Sequence, residues 1–316
     1  MKRRWLAVVA AIAVFGLVGA ACASNTGGGG GTTTPPASSA TASPGEFGAT
    51  EDTTIAAEVP SDIAAKGTLT VATDATYAPM EFIPPGQKAV DGADVDLGHA
   101  IGTVLGLKFD FVNAGFDTII PGLASGKYDL GMSAFTDTKD REKTVDFVTY
   151  FVAGTSFYIS ASGGPNVTGL DSLCGLSVGV ERGTTQQHDA MTQSKKCTSA
   201  GKQPVSVNVF PDQNGANLSL SSGRVQVVMA DSPVAAYAVE QSNGQFKLSG
   251  SAYGTAPYGI AVPRPSGTAP GEAPLTKPIL DAMNKLIQDG VYAKILDKWG
   301  LQQGAISQAK VNAAVF

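Results

Sequence analysis

Three residues close together in the sequence, Ser133, Thr136 and Arg141, have the chemistry to hold a carboxylate. They follow an apolar run at 128–132 that is typical of a buried strand, and Arg141 falls on a predicted helical turn. Hydroxyls and backbone N–H groups at such a junction can donate hydrogen bonds, and the planar guanidinium matches two carboxylate oxygens. The spacing therefore predicts a carboxylate clamp. The alternative is a strand, a turn and a surface arginine in a local ion pair.

Short apolar segments that alternate with amphipathic ones must position this clamp. Strands are predicted at 69–73, 108–112, 128–132 and 156–160, with helices at 96–105 and 116–124. A second series has strands at 176–180, 205–210 and 225–229 and helices at 185–193, 214–221 and 233–240. A strand at 258–263 precedes two helices within 275–299. Repeated strand–helix–strand units predict an α/β fold of two lobes, each a mainly parallel sheet flanked by helices.

The amino terminus is typical of an export signal. Basic residues 2–4 precede an apolar run that is short for a membrane span, and small residues precede Cys22. We expect residues 1–21 to be removed as a signal peptide and Cys22 to be lipidated, which would anchor the chain to the cell membrane, outside the cytoplasm. The alternative is an ordinary small-residue cleavage site, which would release the chain.

Residues 22–65 are predicted to form a disordered linker, because they are rich in Gly, Ser, Thr, Pro and Ala and include five consecutive glycines. The chain of 316 residues is 43% hydrophobic and 16% charged, which suits globular sequence from about residue 66 onward. Loss of residues 1–21 removes three of 22 basic and none of 27 acidic residues, which leaves a net charge near −8. Nucleic acid is therefore not an expected partner.

The cysteines and histidines limit the covalent and metal chemistry. If Cys22 is lipidated, Cys174 and Cys197 remain as a pair in an oxidising setting, where we expect a disulfide. The alternative is two free buried thiols. No metal site is expected, because His99 and His188 lie in no cluster with ligand spacing.

Several motifs follow one another along the chain: TDATYAP, GADVDLGHAIG, FDTIIPGLASGKYDLGMSAFTDTKDREKTVDF, VGVERGTTQ, LSSGRVQVVMADSP, YGIAV and DGVYAKILDKWG. In this order they resemble the family 3 (polar amino acid) solute-binding proteins of ABC importers, over roughly residues 66–301. The resemblance implies a type 2 periplasmic-binding-protein fold, in which two lobes joined by a two-strand hinge close on a ligand. Lobe 1 would comprise 66–154 and 256–316, and lobe 2 would comprise 155–255.

The resemblance also implies roles for single residues. Arg141 would bind the α-carboxylate of a free amino acid, and Thr136 with the backbone of Ser133 and Ala134 would bind its carboxylate and ammonium groups. In lobe 2, Thr184 and Thr185 open a helix whose N–H groups would complete the carboxylate site. These positions follow strands or begin helices, where open α/β sheets bind ligands.

The remaining candidates concern the ammonium and side-chain subsites. Asp231 would accept the ligand ammonium, and Asp74, Tyr77 and Phe116 would line the side-chain pocket. Glu181, just before the Gly-Thr-Thr turn, would face the same space. Simpler interpretations exist for most of them. Asp231, Thr184 and Thr185 could be helix caps, and Tyr77 and Phe116 could be core aromatics.

Some positions are assigned elsewhere or depart from the family pattern. We expect Asp94 and Asp96 to cap the first long helix. Asp137 lies where the family usually has an aliphatic residue. This departure removes neither the carboxylate partner nor the ammonium partner of an amino acid.

The resulting prediction is a monomeric binding protein without enzymatic activity or cofactor, which delivers an amino acid to an ABC permease and its ATPase. Because Arg141 and Asp231 balance the two charges of any amino acid, the surplus carboxylates favour a basic ligand: Arg, Lys or ornithine. Glutamine or glutamate is the alternative ligand. An amino-acid sensor and a dehydratase-like enzyme are the alternative functions on this fold.

Overall fold

The computed structural model describes residues 45–316, except for the side chain of Glu46. The predicted signal peptide, Cys22 and the first part of the linker lie outside the described residues. Within the described part, no helix combines the length and the apolar character needed to cross a membrane.

Residues 45–65, the described part of the predicted linker, are ordered, whereas the sequence predicted disorder. Two short helices, α1 (Thr53–Ala56) and α2 (Ser61–Lys66), occupy the last part of the linker. Asp52 caps α1 by accepting two backbone N–H groups, and Ala49 and Val59 are buried against the body of the protein. A few apolar side chains in a polar, glycine-poor stretch are enough to order this segment, which composition alone did not indicate.

The strands of the described residues are, in chain order, β1 (Thr68–Thr73), β2 (Thr76–Tyr77), β3 (Glu81–Phe82), β4 (Lys108–Asn113), β5 (Leu130–Gly131), β6 (Val145–Ser160), β7 (Ser177–Glu181), β8 (Ser206–Phe210), β9 (Val227–Asp231) and β10 (Phe246–Pro263). The further helices are α3 (Ala93–Val104), α4 (Phe116–Ala124), α5 (Thr185–Ser199), α6 (Gln213–Ser221), α7 (Ser232–Gln241), α8 (Thr276–Gln288) and α9 (Val291–Trp299).

Eight strands form one sheet in the order β4-β1-β5-β10-β6-β9-β7-β8. β1 pairs in parallel with β4 and β5, and β7 pairs in parallel with β8 and β9. These two parallel groups define lobe 1 and lobe 2. The long antiparallel pair β6–β10 runs between them and belongs to both. The predicted α/β architecture of two mainly parallel lobes with two crossing strands is present.

The crossing strands are much longer than the predicted strands at 156–160 and 258–263. Their pairing is interrupted by register shifts between Ser249 and Tyr253 and between Tyr253 and Ala256. Gly250 and Gly254 lie there at φ values of +70° and +63°, which favour glycine. The glycines resemble strand breakers in the sequence, but here they form irregularities inside a continuous strand.

Each lobe has its own packed interior. In lobe 2, Phe157, Val178 and Val227 are fully buried in one apolar cluster. Cys174 and Cys197 are joined by a disulfide with a Cα–Cα distance of 5.6 Å, which ties the segment before β7 to the end of α5. The pairing expected from the cysteine count is therefore present in the structure.

The parallel strands place the candidate residues at one edge of each lobe. β1 ends immediately before Asp74, and β5 ends two residues before Ser133. In lobe 2, Glu181 and Asp231 are the last residues of β7 and β9. Because carboxyl ends of parallel strands meet at the same edge of a sheet, the four positions face one cleft.

Candidate functional site

A narrow cavity lies at these strand ends. Residues of both lobes line it: Asp74, Tyr77, Glu81, Phe116, Ser133, Ala134, Thr136, Arg141, Glu181, Thr184, Thr185, Gln186 and Asp231. Every ligand-binding residue predicted from the sequence is among them. Their roles in binding remain predictions, but their convergence on one cavity is a finding.

Arg141 begins a short 3₁₀ turn, and its guanidinium is fixed on several sides. Nη1 donates to the carbonyl oxygen of Thr136 at 2.8 Å, and Nη2 donates to that of Gly183 at 3.1 Å. Its Cζ lies 5.2 Å from the ring centroid of Phe116 and 5.4 Å from that of Phe135. Burial lowers the pKa of Arg141 to about 10, so the group is still a cation at neutral pH. The arrangement gives an anion a rigid, oriented partner.

Two buried carboxyl groups, those of Glu81 and Asp94, hold the turn after β5 in place. The hydroxyl of Ser133 accepts the N–H of Asp74 at 2.9 Å and donates to Oε1 of Glu81 at 3.0 Å. Ala134 has a φ of +45°, and its N–H donates to Oδ2 of Asp94 at 3.0 Å. We predicted that this N–H would bind the ligand. In this structure it is already engaged by Asp94.

Asp94 does not cap helix α3, so the cap prediction is wrong. Its Oδ2 also accepts the hydroxyl of Tyr150 at 2.7 Å. Burial raises the pKa of Asp94 to about 6, and burial together with the nearby Asp94 raises the pKa of Glu81 well above its usual range. Asp96 is not a cap either, because its Oδ2 accepts the indole N–H of Trp299 at 2.7 Å. Sequence position alone suggested caps, whereas long-range partners decide both roles.

Asp231 occupies the N-cap position of α7 but makes no side-chain capping bond. Its Oδ2 accepts the hydroxyl of Tyr77 at 3.1 Å, and its Oδ1 accepts Nε2 of Gln186 at 2.8 Å. The same Nε2 donates to Oγ1 of Thr155 at 2.8 Å. Burial raises the pKa of Asp231. The carboxylate is thus turned toward the cavity and offers an acceptor there.

Asp74 and Glu181 bring two more carboxyl groups to the cavity. Oδ1 of Asp74 accepts the hydroxyl of Thr76 at 2.7 Å, and Oδ2 accepts the N–H of Phe116 at 2.9 Å. Glu181 is 2% exposed, and its carboxyl group lies within hydrogen-bonding reach of that of Asp74, so the two can share a proton. Burial, and then the charge of Asp74, raise the pKa of Glu181 well above its usual range. Two adjacent buried carboxyl groups therefore retain a proton, and a cationic donor that displaces this proton would meet two carboxylates.

The Gly-Thr-Thr turn closes the cavity from lobe 2. Gly183 has a φ of +81°, and an added Cβ would lie 2.9 Å from Cβ of Asp117 in lobe 1. Thr184 caps α5, because its hydroxyl accepts the N–H of Gln187 at 3.1 Å. Its capping role and its place in the cavity wall therefore coexist. The hydroxyl of Thr185 donates to Oε1 of Gln186 at 3.3 Å.

Glu81 and Gln186 were not predicted as site residues. Gln186 directly follows Thr185 in the first turn of α5, so the motif that identified the threonines could also have identified it. Glu81 stands alone between Met80 and Phe82 in an apolar stretch. A single acid in an apolar stretch was the available signal, because such a residue needs a partner if it is buried, and Glu81 is fully buried.

The site thus combines one arginine with several carboxyl groups and aromatic rings in a closed cleft. Within residues 45–316, no group of three or more His, Cys, Asp or Glu side chains could hold a metal ion. Fold and site together define a two-lobed binding protein for a small ligand that carries both charges.

Comparison with known proteins identifies the family within this class. The family model for bacterial extracellular solute-binding proteins, family 3, matches residues 69–302. The arginine-binding protein ArgT of Corynebacterium glutamicum is 32% identical over 259 residues, 82% of either chain. An ancestral arginine-binding protein has been solved with arginine and with glutamine bound. Both structures match 74% of this chain, and 98% and 97% of their own, at a TM-score of 0.65 and 38% identity.

A further solved structure is the ancestral amino acid-binding protein AncCDT-1, a precursor of cyclohexadienyl dehydratase. It matches at a TM-score of 0.66 and 30% identity, over 75% of this chain and 97% of its own. The chain belongs to family 3 of the bacterial extracellular solute-binding proteins. This confirms the predicted family, the two-lobed α/β fold and the class of function, an amino-acid-binding component of an ABC importer.

Proposed function

We propose that this protein binds a free amino acid with a cationic side chain, arginine ahead of lysine and ornithine, and delivers it to an ABC permease. The position of Glu181 is the observation that supports a cationic ligand. Glu181 is 2% exposed and lies with Asp74 in the cavity wall. If this carboxyl group pointed into solvent, the site would indicate a polar amino acid but would not favour a cationic one.

Charge balance supports a cationic ligand. An amino acid brings a carboxylate for Arg141 and an ammonium group for Asp231, and these four charges compensate one another. Asp74 and Glu181 then remain without a cation in the cavity. With glutamine a bound proton would have to neutralise this buried pair in place of a cation, and glutamate would add a further negative charge, which is unfavourable in a buried site.

Arginine fits the remaining acceptors better than lysine does. Its guanidinium presents five N–H donors in one plane, whereas the ammonium of lysine presents three around a point. The hydrocarbon stem can pack on Phe116, one of the two aromatic side chains of the cavity wall. We therefore expect arginine to bind more tightly than ornithine or lysine, and all three to bind more tightly than glutamine.

Binding without catalysis is the proposed activity. A dehydratase-like reaction needs an acid or base that is free to exchange a proton with substrate. Here Asp231 is held by Tyr77 and Gln186, and Glu81 by Ser133, in the manner of fixed recognition groups. A turnover assay with prephenate-like cyclic acids gives no product under this proposal.

The proposed boundaries of the lobes are 66–154 and 256–316 for lobe 1 and 155–255 for lobe 2. The proposed attachment to the membrane is a lipid on Cys22. The chain would act as an exported monomer on a lipid anchor. Radiolabelled fatty acid should be incorporated into the wild-type chain and not into Cys22→Ser. Equal labelling of both chains would contradict the anchor and leave ligand binding untouched.

The ligand is tested by calorimetric competition on the purified domain. The series contains arginine, lysine, ornithine, histidine, glutamine, asparagine, glutamate and aspartate. We expect the three basic ligands to bind most tightly. Tighter binding of glutamine or glutamate than of every cationic amino acid would overturn the ligand class. Native mass spectrometry of protein as purified adds the identity of any amino acid that it carries.

A further inference from the structure

The family model ends at residue 302, but the chain continues in an ordered course across lobe 1. We call residues 309–316 the strap. Val311 forms a bridge with Val148 of β6, and Lys310 and Thr149 exchange two hydrogen bonds of 2.8 and 2.9 Å. The strap therefore lies along the outer side of β6, opposite β10.

Asn312 fixes the strap to the beginning of β6. Its N–H donates to the carbonyl of Phe147 at 3.0 Å, and its Oδ1 accepts the N–H of Phe147 at 2.8 Å. Its Nδ2 donates to Oδ1 of Asp146 at 3.0 Å. The residue has a φ of +48°, a conformation that asparagine tolerates better than most residues. The chain turns here and reaches the segment that carries Arg141.

The end of the strap contacts residues 137–143, which we call the clamp segment. Ala313 N–H donates to Oδ2 of Asp137 at 2.7 Å, and Ala314 N–H donates to Oε1 of Glu142 at 3.1 Å. The N–H of Lys139 donates to the carbonyl oxygen of Phe316 at 2.9 Å. Three contacts thus join the strap to both sides of Arg141.

Asp137 is the central member of this arrangement. It is fully buried, and its own N–H donates to the carbonyl of Pro257 in β10 at 2.8 Å. Its backbone therefore holds the clamp segment to the hinge strand, and its carboxyl group holds the strap. An aliphatic residue at this position would keep the first contact and lose the second.

We propose that the strap positions the clamp arginine of the ligand site, and that Asp137 is the positioning residue through which it acts. Testing this through the affinity for arginine rests on the proposed amino-acid binding. A 3₁₀ turn of three residues has little stability of its own, so its order must come from contacts outside it. Arg264 holds the same turn through the carbonyls of Glu142 and Lys143, which limits the expected loss.

The titrating groups around Asp137 give a second readout. Burial and the neighbouring Glu142 raise the pKa of Asp137 to about 7, while the N–H of Ala313 and the charge of Lys139 act in the opposite direction. Arg141 also lies within its electrostatic reach. The local order of the clamp segment should therefore change between pH 6 and 8 in the wild type and not in Asp137→Asn.

The test compares three full-chain variants. Asp137→Leu removes the acceptor, and Asp137→Asn keeps an oxygen for Ala313. Val315→Ser is the control, because the Val315 side chain is exposed and its backbone N–H makes no hydrogen bond within the described residues. We expect Asp137→Leu alone to speed hydrogen exchange at residues 136–147 in ligand-free protein and to weaken arginine binding about tenfold. A chain ending at residue 308 should show the same effects more strongly.

The outcomes separate the two proposals. Wild-type exchange and affinity in Asp137→Leu would overturn the strap. Faster exchange with unchanged affinity would overturn its effect on the site. If the wild-type chain binds no amino acid, the proposed function fails, and the exchange and pH measurements on ligand-free protein still decide whether Asp137 orders the clamp segment.

Discussion

Tyr77 and Asp231 join the two lobes through a reciprocal pair of hydrogen bonds. The hydroxyl of Tyr77 accepts the N–H of Asp231 at 3.0 Å and donates to its Oδ2 at 3.1 Å. Arg141 reaches the carbonyl of Gly183 across the same cleft, and the N–H of Gln213 donates to the hydroxyl of Thr76 at 3.2 Å. The described arrangement is therefore a closed one, in which polar contacts of the protein itself span the ligand site.

Tyr77→Phe should weaken ligand binding about tenfold and leave the fold intact. The ring keeps its packing, but Asp231 loses a donor to its carboxylate and an acceptor for its N–H. A buried polar group left unpaired costs about 1–3 kcal/mol. Calorimetry with arginine measures the loss. Tyr128→Phe is the matched control, since the ring of Tyr128 is also buried and its hydroxyl makes no hydrogen bond to the described part of the chain.

The site was predictable from the sequence wherever it depends on strand ends and helix starts. Ser133, Asp231 and Thr184 all follow from the order of short apolar runs and from local chemistry. What could not be predicted depends on long-range contacts. Asp94 resembled a helix cap, but its partners are 40 and 56 residues away in the sequence. Tertiary partners of this kind leave no local periodicity to read.

Arg141→Ala should remove most of the binding, because a buried ligand carboxylate would lose its charged partner. Such a loss costs about 2–5 kcal/mol, or about 30-fold to several thousand-fold in affinity. Arg141→Lys should recover only part of it, because an ammonium lacks the planar fork. Arg182→Ala is the control, since Arg182 is exposed and absent from the cavity wall. Affinity within a factor of a few of wild type in Arg141→Ala would refute the clamp.

Opening the disulfide should lower stability and spare binding. Cys174 and Cys197 are 23 residues apart, and closing such a loop stabilises by about 3 kcal/mol in the chain-entropy model. Neither cysteine lines the cavity. We expect the double Cys→Ser variant to unfold at lower urea concentration with arginine affinity unchanged. A comparable loss of affinity would show that the bridge shapes the site.

The ligand-free protein should become less stable as the pH rises from about 5 to 8. Burial raises the pKa of Asp94 from 3.8 to about 6 and that of Asp137 to about 7. Above their ordinary pKa the unfolded chain has released these protons, whereas the folded chain still holds them. Folding therefore takes up protons in this range, and the free energy of unfolding falls with pH until both groups are ionised.

Urea unfolding at constant ionic strength measures this slope, and a matched pair of variants assigns it. Asp94→Asn should flatten the profile near pH 6. Asp62→Asn removes one charge from an exposed site on α2 and should leave the slope unchanged. Equal slopes in wild type and Asp94→Asn would show that overall charge, and not the buried carboxyl group, causes the pH dependence.

Glu181→Gln should change the preference among ligands and the pH dependence of binding. The substitution keeps the size of the buried side chain and removes the charge that a guanidinium would meet. A hydrogen bond to a charged group contributes about 1.5–3 kcal/mol, so arginine affinity should fall about tenfold to a hundredfold while glutamine affinity stays or improves.

In the wild type, the pKa of Glu181 lies well above its usual range, so a bound cation must displace a proton. Arginine affinity should therefore decrease as the pH is lowered through that pKa, and the decrease should be smaller in Glu181→Gln. Calorimetry in two buffers of different ionisation enthalpy counts the protons released. Equal losses for arginine and glutamine, with no change in proton release, would mean that Glu181 shapes the cavity without reading the charge of the ligand.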